Sequence, residues 1–127
     1  MKENKSNLAL DENLKEIVID ASNKSFGRVA SLVCYYLLQK DLPFYQPNKV
    51  FKRRVKVINL SKIKFTGKKL DQKLIRWHTG YVGHLKERKL KELWEKKPEE
   101  IFKKAVKGML PKNRLLKKRI KLLELIK

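Results

Sequence analysis

The chain has 127 residues, enough for one modest hydrophobic core and short for two domains. Its 33 Lys and Arg stand against 13 Asp and Glu, a net charge of +20, with a pI of about 10.2 and a mean hydropathy of −0.56. With 42% hydrophobic residues and no apolar run of membrane-spanning length, the chain is neither a disordered tail nor a membrane protein, and its charge calls for a polyanionic partner.

In chain order, residues 1–14 are polar and of mixed charge and are expected to form a flexible terminus; they lack the apolar stretch of a signal peptide. Residues 15–127 are expected to form one domain. Residues 1–20 hold three lysines and five acids, a net of −2, so the remaining 107 residues carry +22. Glu16 to Asp20 reads as a buried strand. Ser22 to Ser25 supplies cap-forming residues, and Phe26 to Leu38 then reads as a helix. Phe26, Val29, Ala30, Val33 and Leu37 recur on its core face. Cys34, the single cysteine, lies in this apolar run and reads as a buried structural thiol in a reducing compartment.

Pro43 and Pro47 punctuate the next loop. Val55 to Asn59 reads as a second strand, Ile63 to Thr66 as a third element closed by Gly67, and Leu74 to Thr79 as a fourth strand. From Leu85 the pattern reads as helical, with Leu90, Leu93 and Trp94 on one face. Pro98, with Glu99 and Glu100 behind it, suits a helix start. Ile101, Phe102, Ala105 and Met109 form its apolar face, and Gly108 and Pro111 mark its end. A last helix is expected from about Asn113, with Leu116, Ile120 and Leu123 on one side. Strand, helix and further strands indicate an α/β sheet.

Several segments concentrate charge in forms that suit nucleic acid. Lys52-Arg53-Arg54, with Lys49 and Lys56, forms a basic cluster entering a strand. It suits RNA phosphates, since Lys49, Arg53 and Arg54 have no acidic neighbour in sequence; the alternative is a solvated strand edge. His78 to His84 packs Gly80, Gly83, Tyr81 and both histidines into seven residues. The glycines allow close backbone approach to a phosphate, and Tyr81 or His78 can stack on an unpaired base; the alternative is a tight turn with Tyr81 buried. Two histidines without a supporting cysteine make no zinc set, and neither nucleotide-binding glycine fingerprint is present. Lys107 to Arg114 reads as a helix end, a turn and a helix start, with Lys107, Lys112 and Arg114 around it. Lys103 and Lys104 are weaker candidates, because Glu99 and Glu100 lie four residues earlier. Trp77 and Trp94 are expected in the core.

These segments also carry a resemblance. Lys107-Gly108-Met109-Leu110-Pro111-Lys112-Asn113 resembles the signature of the L-thirteen family of large-subunit ribosomal proteins, bacterial type. Val18-Ile19-Asp20-Ala21, Gly27-Arg28-Val29-Ala30-Ser31, Val57-Ile58-Asn59, Thr66-Gly67-Lys68-Lys69, His78-Thr79-Gly80-Tyr81 and Lys97-Pro98-Glu99 resemble further family segments, in the same order over roughly residues 16–114. Three places depart from the pattern. Phe51 to Arg54 replaces an acidic, glycine-containing segment, Gly83-His84 replaces paired glycines, and Leu115-Leu116 stands where Leu-Gly is common.

The resemblance implies a three-layer α/β/α fold with a short, mostly parallel four-stranded sheet and C-terminal helices. It implies a structural constituent of the large subunit in the cytoplasmic ribosome, which binds large-subunit ribosomal RNA, touches neighbouring large-subunit proteins and supports early assembly. It brings no cofactor, metal, small-molecule substrate or catalytic residue. Beside the residues already named, Lys68, Lys69, Arg76, Lys86, Arg88 and Lys118 complete the expected RNA-binding set. A nucleic-acid binder acting off the ribosome is the second reading. A small enzyme is the third; no carboxylate pair, Ser/His/Asp set or nucleophilic Cys/His arrangement stands out.

Overall fold

A computed structural model describes residues 15–127; the expected flexible segment 1–14 lies outside the described residues. Strand β1 (Ile17–Asp20) leads through a short turn to helix α1 (Phe26–Leu37). Strand β2 (Val55–Ile58) follows, then a single 3-10 turn at Leu60–Lys62 and the short helix α2 (Lys69–Gln72). Strands β3 (Leu74–His78) and β4 (Leu85–Lys89) precede helices α3 (Leu90–Lys96), α4 (Pro98–Met109) and α5 (Leu116–Lys121). Strand β5 (Leu123–Leu125) comes last.

Three strands form a parallel sheet in the order β1-β2-β5. Central β2 is held on both edges, with Val55 opposite Ile17 and Leu123, and Val57 opposite Ile19 and Leu125. Val55 and Val57 are fully buried, as suits a central strand of a parallel sheet. Helix α1 supplies Val29, Ala30, Val33 and Leu37 to the same core, and α4 adds Phe102 and Val106. These side chains recur every three or four residues, so each helix buries one stripe. Phe26 extends the core, stacking on Phe65 at 5.0 Å and meeting Trp94 and Phe102 edge-on at 5.6 and 5.4 Å.

The fold is mixed α/β, with a mostly parallel sheet and C-terminal helices, in broad agreement with a three-layer α/β/α arrangement. Its strand membership differs from the expected four. Leu74–His78 is a strand, but it pairs antiparallel with Leu85–Lys89 in a separate two-stranded sheet. The helical reading from Leu85 therefore fails until Leu90. Ile63 to Thr66 forms no strand and contributes one bridge, Lys64 beside Ser25. The final helix stops at Lys121, and Leu123, expected on its apolar side, enters the third sheet strand instead. Leu116, Ile120 and Leu123 fit helical spacing, yet the open edge of β2 claims the last of them: Val55 N–H donates to Leu122 O at 2.9 Å and Ile126 N–H to Val57 O at 2.8 Å.

Candidate nucleic-acid interface

The β3–β4 hairpin projects most of its surface to solvent. Every residue of both strands is exposed except half-buried Ile75. A two-stranded hairpin is marginal alone, and this one is tied at its base by Leu90 N–H donating to Lys73 O at 2.8 Å. Across the ladder Arg76 faces Glu87, with Nε to Oε2 at 2.9 Å. The Arg88 guanidinium lies 5.6 Å from the Trp77 ring centroid, within cation–π range. Trp77 thus stands outside the core, contrary to expectation. No local signal shows this: alternation sets Trp77 on the face opposite to Arg76 and His78 and on that of half-buried Ile75. Lys86 is exposed, with no ion pair among the described residues.

The loop at the tip depends on its glycines. Gly80 and Gly83 sit at φ +92 and +72, where a side chain would strain the backbone. Gly80 N–H donates to His78 Nδ1 at 2.9 Å, and His84 N–H to Tyr81 O at 3.2 Å. This turn presses Tyr81 and Val82 outward, to 74% and 98% exposure. The alternative of a buried Tyr81 is overturned, and its ring, edge-on to His84 at 6.0 Å, is open to solvent.

The turn after α4 is rigidly built. Leu110, 2% exposed, anchors it in the core and donates its N–H to Val106 O at 3.0 Å. Asn113 N–H donates to Pro111 O at 3.0 Å, and Asn113 Oδ1 accepts from Leu115 N–H at 3.1 Å. Lys107, Lys112 and Arg114 are exposed around this frame and make no ion pair among the described residues. Lys118 is exposed on α5, but its neighbour Arg119 is 2% exposed and donates from Nη2 to Pro47 O at 3.1 Å. That buried arginine was not distinguished in sequence from the cations around it.

The basic cluster before β2 is largely occupied. Arg53 pairs with Asp41 and donates from Nε to Lys15 O at 3.1 Å. Arg54 Nη1 lies 3.1 Å from Glu124 Oε1 and 4.0 Å from Glu16 Oε1, and Lys56 Nζ lies 3.8 and 3.9 Å from the same two acids. The expectation that Arg53 and Arg54 lack acidic company therefore fails. Their partners come from outside the local sequence, because β5 places Glu124 directly beside Lys56. Lys49 is half-buried in this segment and Lys52 is exposed. Lys68 and Lys69 are exposed at the start of α2, after Gly67 at φ +63. Glu100 pairs with Lys97 at 2.7 Å, so it is not held by Lys104.

Among the described residues no group of three or more His, Cys, Asp or Glu is placed to hold a metal, and no helix is long and apolar enough to cross a membrane. Burial pushes the Cys34 thiol up to about 11, and its Sγ lies 3.6 Å from Val106 O.

A profile of the family described as "Ribosomal protein L13" matches residues 14–127. The chain belongs to the ribosomal protein L13 family. Its relatives in that family include "Large ribosomal subunit protein uL13" of Aquifex aeolicus, 53% identical over 98 residues, which span 77% of this chain and 68% of that protein. The protein of the same name from Lachnospira eligens is 52% identical over 101 residues, 80% and 71% of the two chains. That of Rubrobacter xylanophilus is 43% identical over 111 residues, 87% and 78%. The L13 match includes the hairpin, the 107–114 turn and the strand that completes the sheet.

Proposed function

We infer that the protein is a structural constituent of the large ribosomal subunit, binding large-subunit ribosomal RNA and supporting early subunit assembly in the cytoplasmic ribosome. It is not an enzyme. The observation that carries this reading is the anchored turn at 107–114, which presents Lys107, Lys112 and Arg114 without acidic partners among the described residues, in a chain of the L13 family. Positioned cations on a rigid turn suit a shaped phosphate backbone, and phosphate contacts set register more than they read bases. The hairpin adds Lys86, Arg88 and the outward Tyr81; Lys68, Lys69 and Lys118 widen the basic surface. Arg53 and Arg54 contribute less, being engaged with Asp41, Glu124 and Glu16.

Tagged protein expressed in a bacterial host is expected to co-sediment with large subunits through a high-salt sucrose gradient. Recovery only in the soluble fraction, or on other nucleic acid, would favour the off-ribosome binder.

A further inference from the structure

Between the start of α1, the base of the hairpin and the outer side of α4 lies a groove of about 920 Å³. Its floor is apolar: Phe26, Phe65, Leu74, Ile75, Leu90 and Met109 line it. Leu74 and Met109 are exposed hydrophobic side chains, so this apolar surface is not closed by the protein itself. Its rim is cationic. Arg28, Lys69, Lys73 and Lys104 are exposed on it with no ion pair among the described residues, and Arg76 is held by Glu87. A second cavity of about 520 Å³ shares Ser25, Arg28 and Thr66 with the first and adds Lys24. Among the described residues no carboxylate lines either cavity.

An apolar, partly aromatic floor beneath a one-signed rim is the chemistry of a single nucleic-acid strand. Flat bases cover apolar and aromatic surface while phosphates run along cations, and unpaired RNA offers both at once. A duplex keeps its bases stacked inside and cannot use the floor. We propose that this groove is a second RNA site, taking an unpaired strand of a few nucleotides with its phosphates on Arg28, Lys73 and Lys104 and its bases against Phe65, Phe26 and Met109. The proposal rests on the reading of the protein as an RNA binder. The wall that the two cavities share, Ser25, Arg28 and Thr66, sets them side by side and favours a strand over an isolated nucleotide. An acidic protein segment could match the rim but leaves the aromatic wall without a specific use.

Thr66 is exposed at the junction of the two cavities, and Cys34 is buried. A Thr66→Cys variant of the full chain can therefore be labelled there alone with a benzophenone maleimide. On irradiation with a ten-nucleotide oligouridylate, the label is expected to crosslink to RNA, with excess oligouridylate competing better than duplex RNA of equal length. Adding Lys73→Ala and Lys104→Ala is expected to weaken oligouridylate binding roughly tenfold or more; Lys40→Ala with Lys62→Ala, equal in charge and outside the groove, is expected to cost much less. Equal losses in the two pairs, or equal competition by duplex, would overturn the groove as a single-strand site. In assembled large subunits the label is expected to join unpaired ribosomal RNA; a crosslink to protein would make the occupant a protein segment and overturn the RNA assignment. Failure of the chain to enter large subunits would count against the proposed function, while the oligouridylate result would still decide the groove.

Discussion

Gln39 holds both backbone groups of Phe51. Its Nε2 donates to Phe51 O at 2.7 Å and its Oε1 accepts from Phe51 N–H at 3.0 Å. Gln39 is 2% exposed and sits at φ +62, so a side-chain amide closes the loop between α1 and β2 much as a strand neighbour would. Gln39→Ala leaves the buried Phe51 N–H unpartnered, at about 1–3 kcal/mol, while the Phe51 carbonyl keeps the Arg53 N–H at 2.9 Å. Urea unfolding is expected to show a loss of about 1–3 kcal/mol; a loss below ~0.5 kcal/mol would show that water replaces the amide without cost.

RNA affinity is expected to fall steeply with salt. If six or more phosphates are neutralised, raising salt from ~50 to ~200 mM weakens binding by orders of magnitude through counterion release. Filter binding across that range checks it; a flat profile would remove phosphate contact as the main source of affinity.

Position should matter as well as charge. Lys112→Ala with Arg114→Ala removes two cations from the anchored turn; Lys40→Ala with Lys62→Ala removes two exposed cations elsewhere. Each positioned charge-assisted contact contributes about 1.5–3 kcal/mol, so the turn variant is expected to bind ribosomal RNA at least tenfold more weakly than the other and to enter large subunits poorly. Circular dichroism first establishes that both are folded. Equal affinities would leave only a generally basic surface.

Cys34 is expected to be inert in the folded chain. With its thiol pushed up to about 11 by burial, almost no thiolate exists at pH 8, and the thiolate is the nucleophile. A thiol reagent should modify it at the rate of unfolding. Cys34→Ala is expected to cost about 1 kcal/mol, as small core truncations do, and to leave RNA affinity unchanged. Rapid labelling under native conditions would contradict this placement.

Asp20 sets an acid limit. Its carboxylate accepts the Ser22 backbone N–H at 2.9 Å, the Asn59 amide at 3.0 Å and the Ser22 hydroxyl at 2.8 Å, which lower its pKa from 3.8 to about 2. Because the folded value lies below the unfolded one, its contribution is fully present above about 3.8 and is lost as pH falls towards about 2. Asp20→Asn is expected to flatten the stability profile between those values and leave it parallel to the parent at pH 7. An unchanged acid profile would mean that the three donors favour both protonation states alike.

How much of this was legible in the sequence depends on the range of the interaction. Helices α1 and α4 announce themselves because Val29, Val33 and Leu37, or Phe102 and Ala105, repeat at helical spacing whatever they pack against, although the buried stripe of α4 runs through Val106, which that reading omits, and leaves Met109 exposed. The 107–114 turn is equally local. Leu85–Lys89 was misread because Leu-Lys-Glu-Arg-Lys carries one apolar residue and favours helix as readily as strand; only pairing with β3 decides it. Strand β5 is three residues long and lies within reach of a helical pattern, so its identity depends on β2, far away in sequence. The same distance hid Glu124 from Arg54, and the intervening loop hid Asp41 from Arg53. The groove was hidden for a like reason: Arg28 lies on α1, Lys73 between α2 and β3, and Lys104 on α4, and nothing in their own neighbourhoods draws them together.

The placement of β5 bears on how the chain is made. Strand β2 bonds to β1 through Arg54 and Ile58, and to the last strand through Val55 and Val57, which meet Leu122 and Ile126, so a nascent chain that has emerged through α4 still carries β2 with a bare hydrogen-bonding edge. Closure must wait for residues translated some 65 positions later, and pairings that distant form slowly. During that interval the edge is open to other strands, and the basic surface is already exposed to any RNA nearby. Maturation of this protein is then a race between its own last strand and foreign partners, and a premature stop before Leu123 should yield aggregates rather than a shortened native fold.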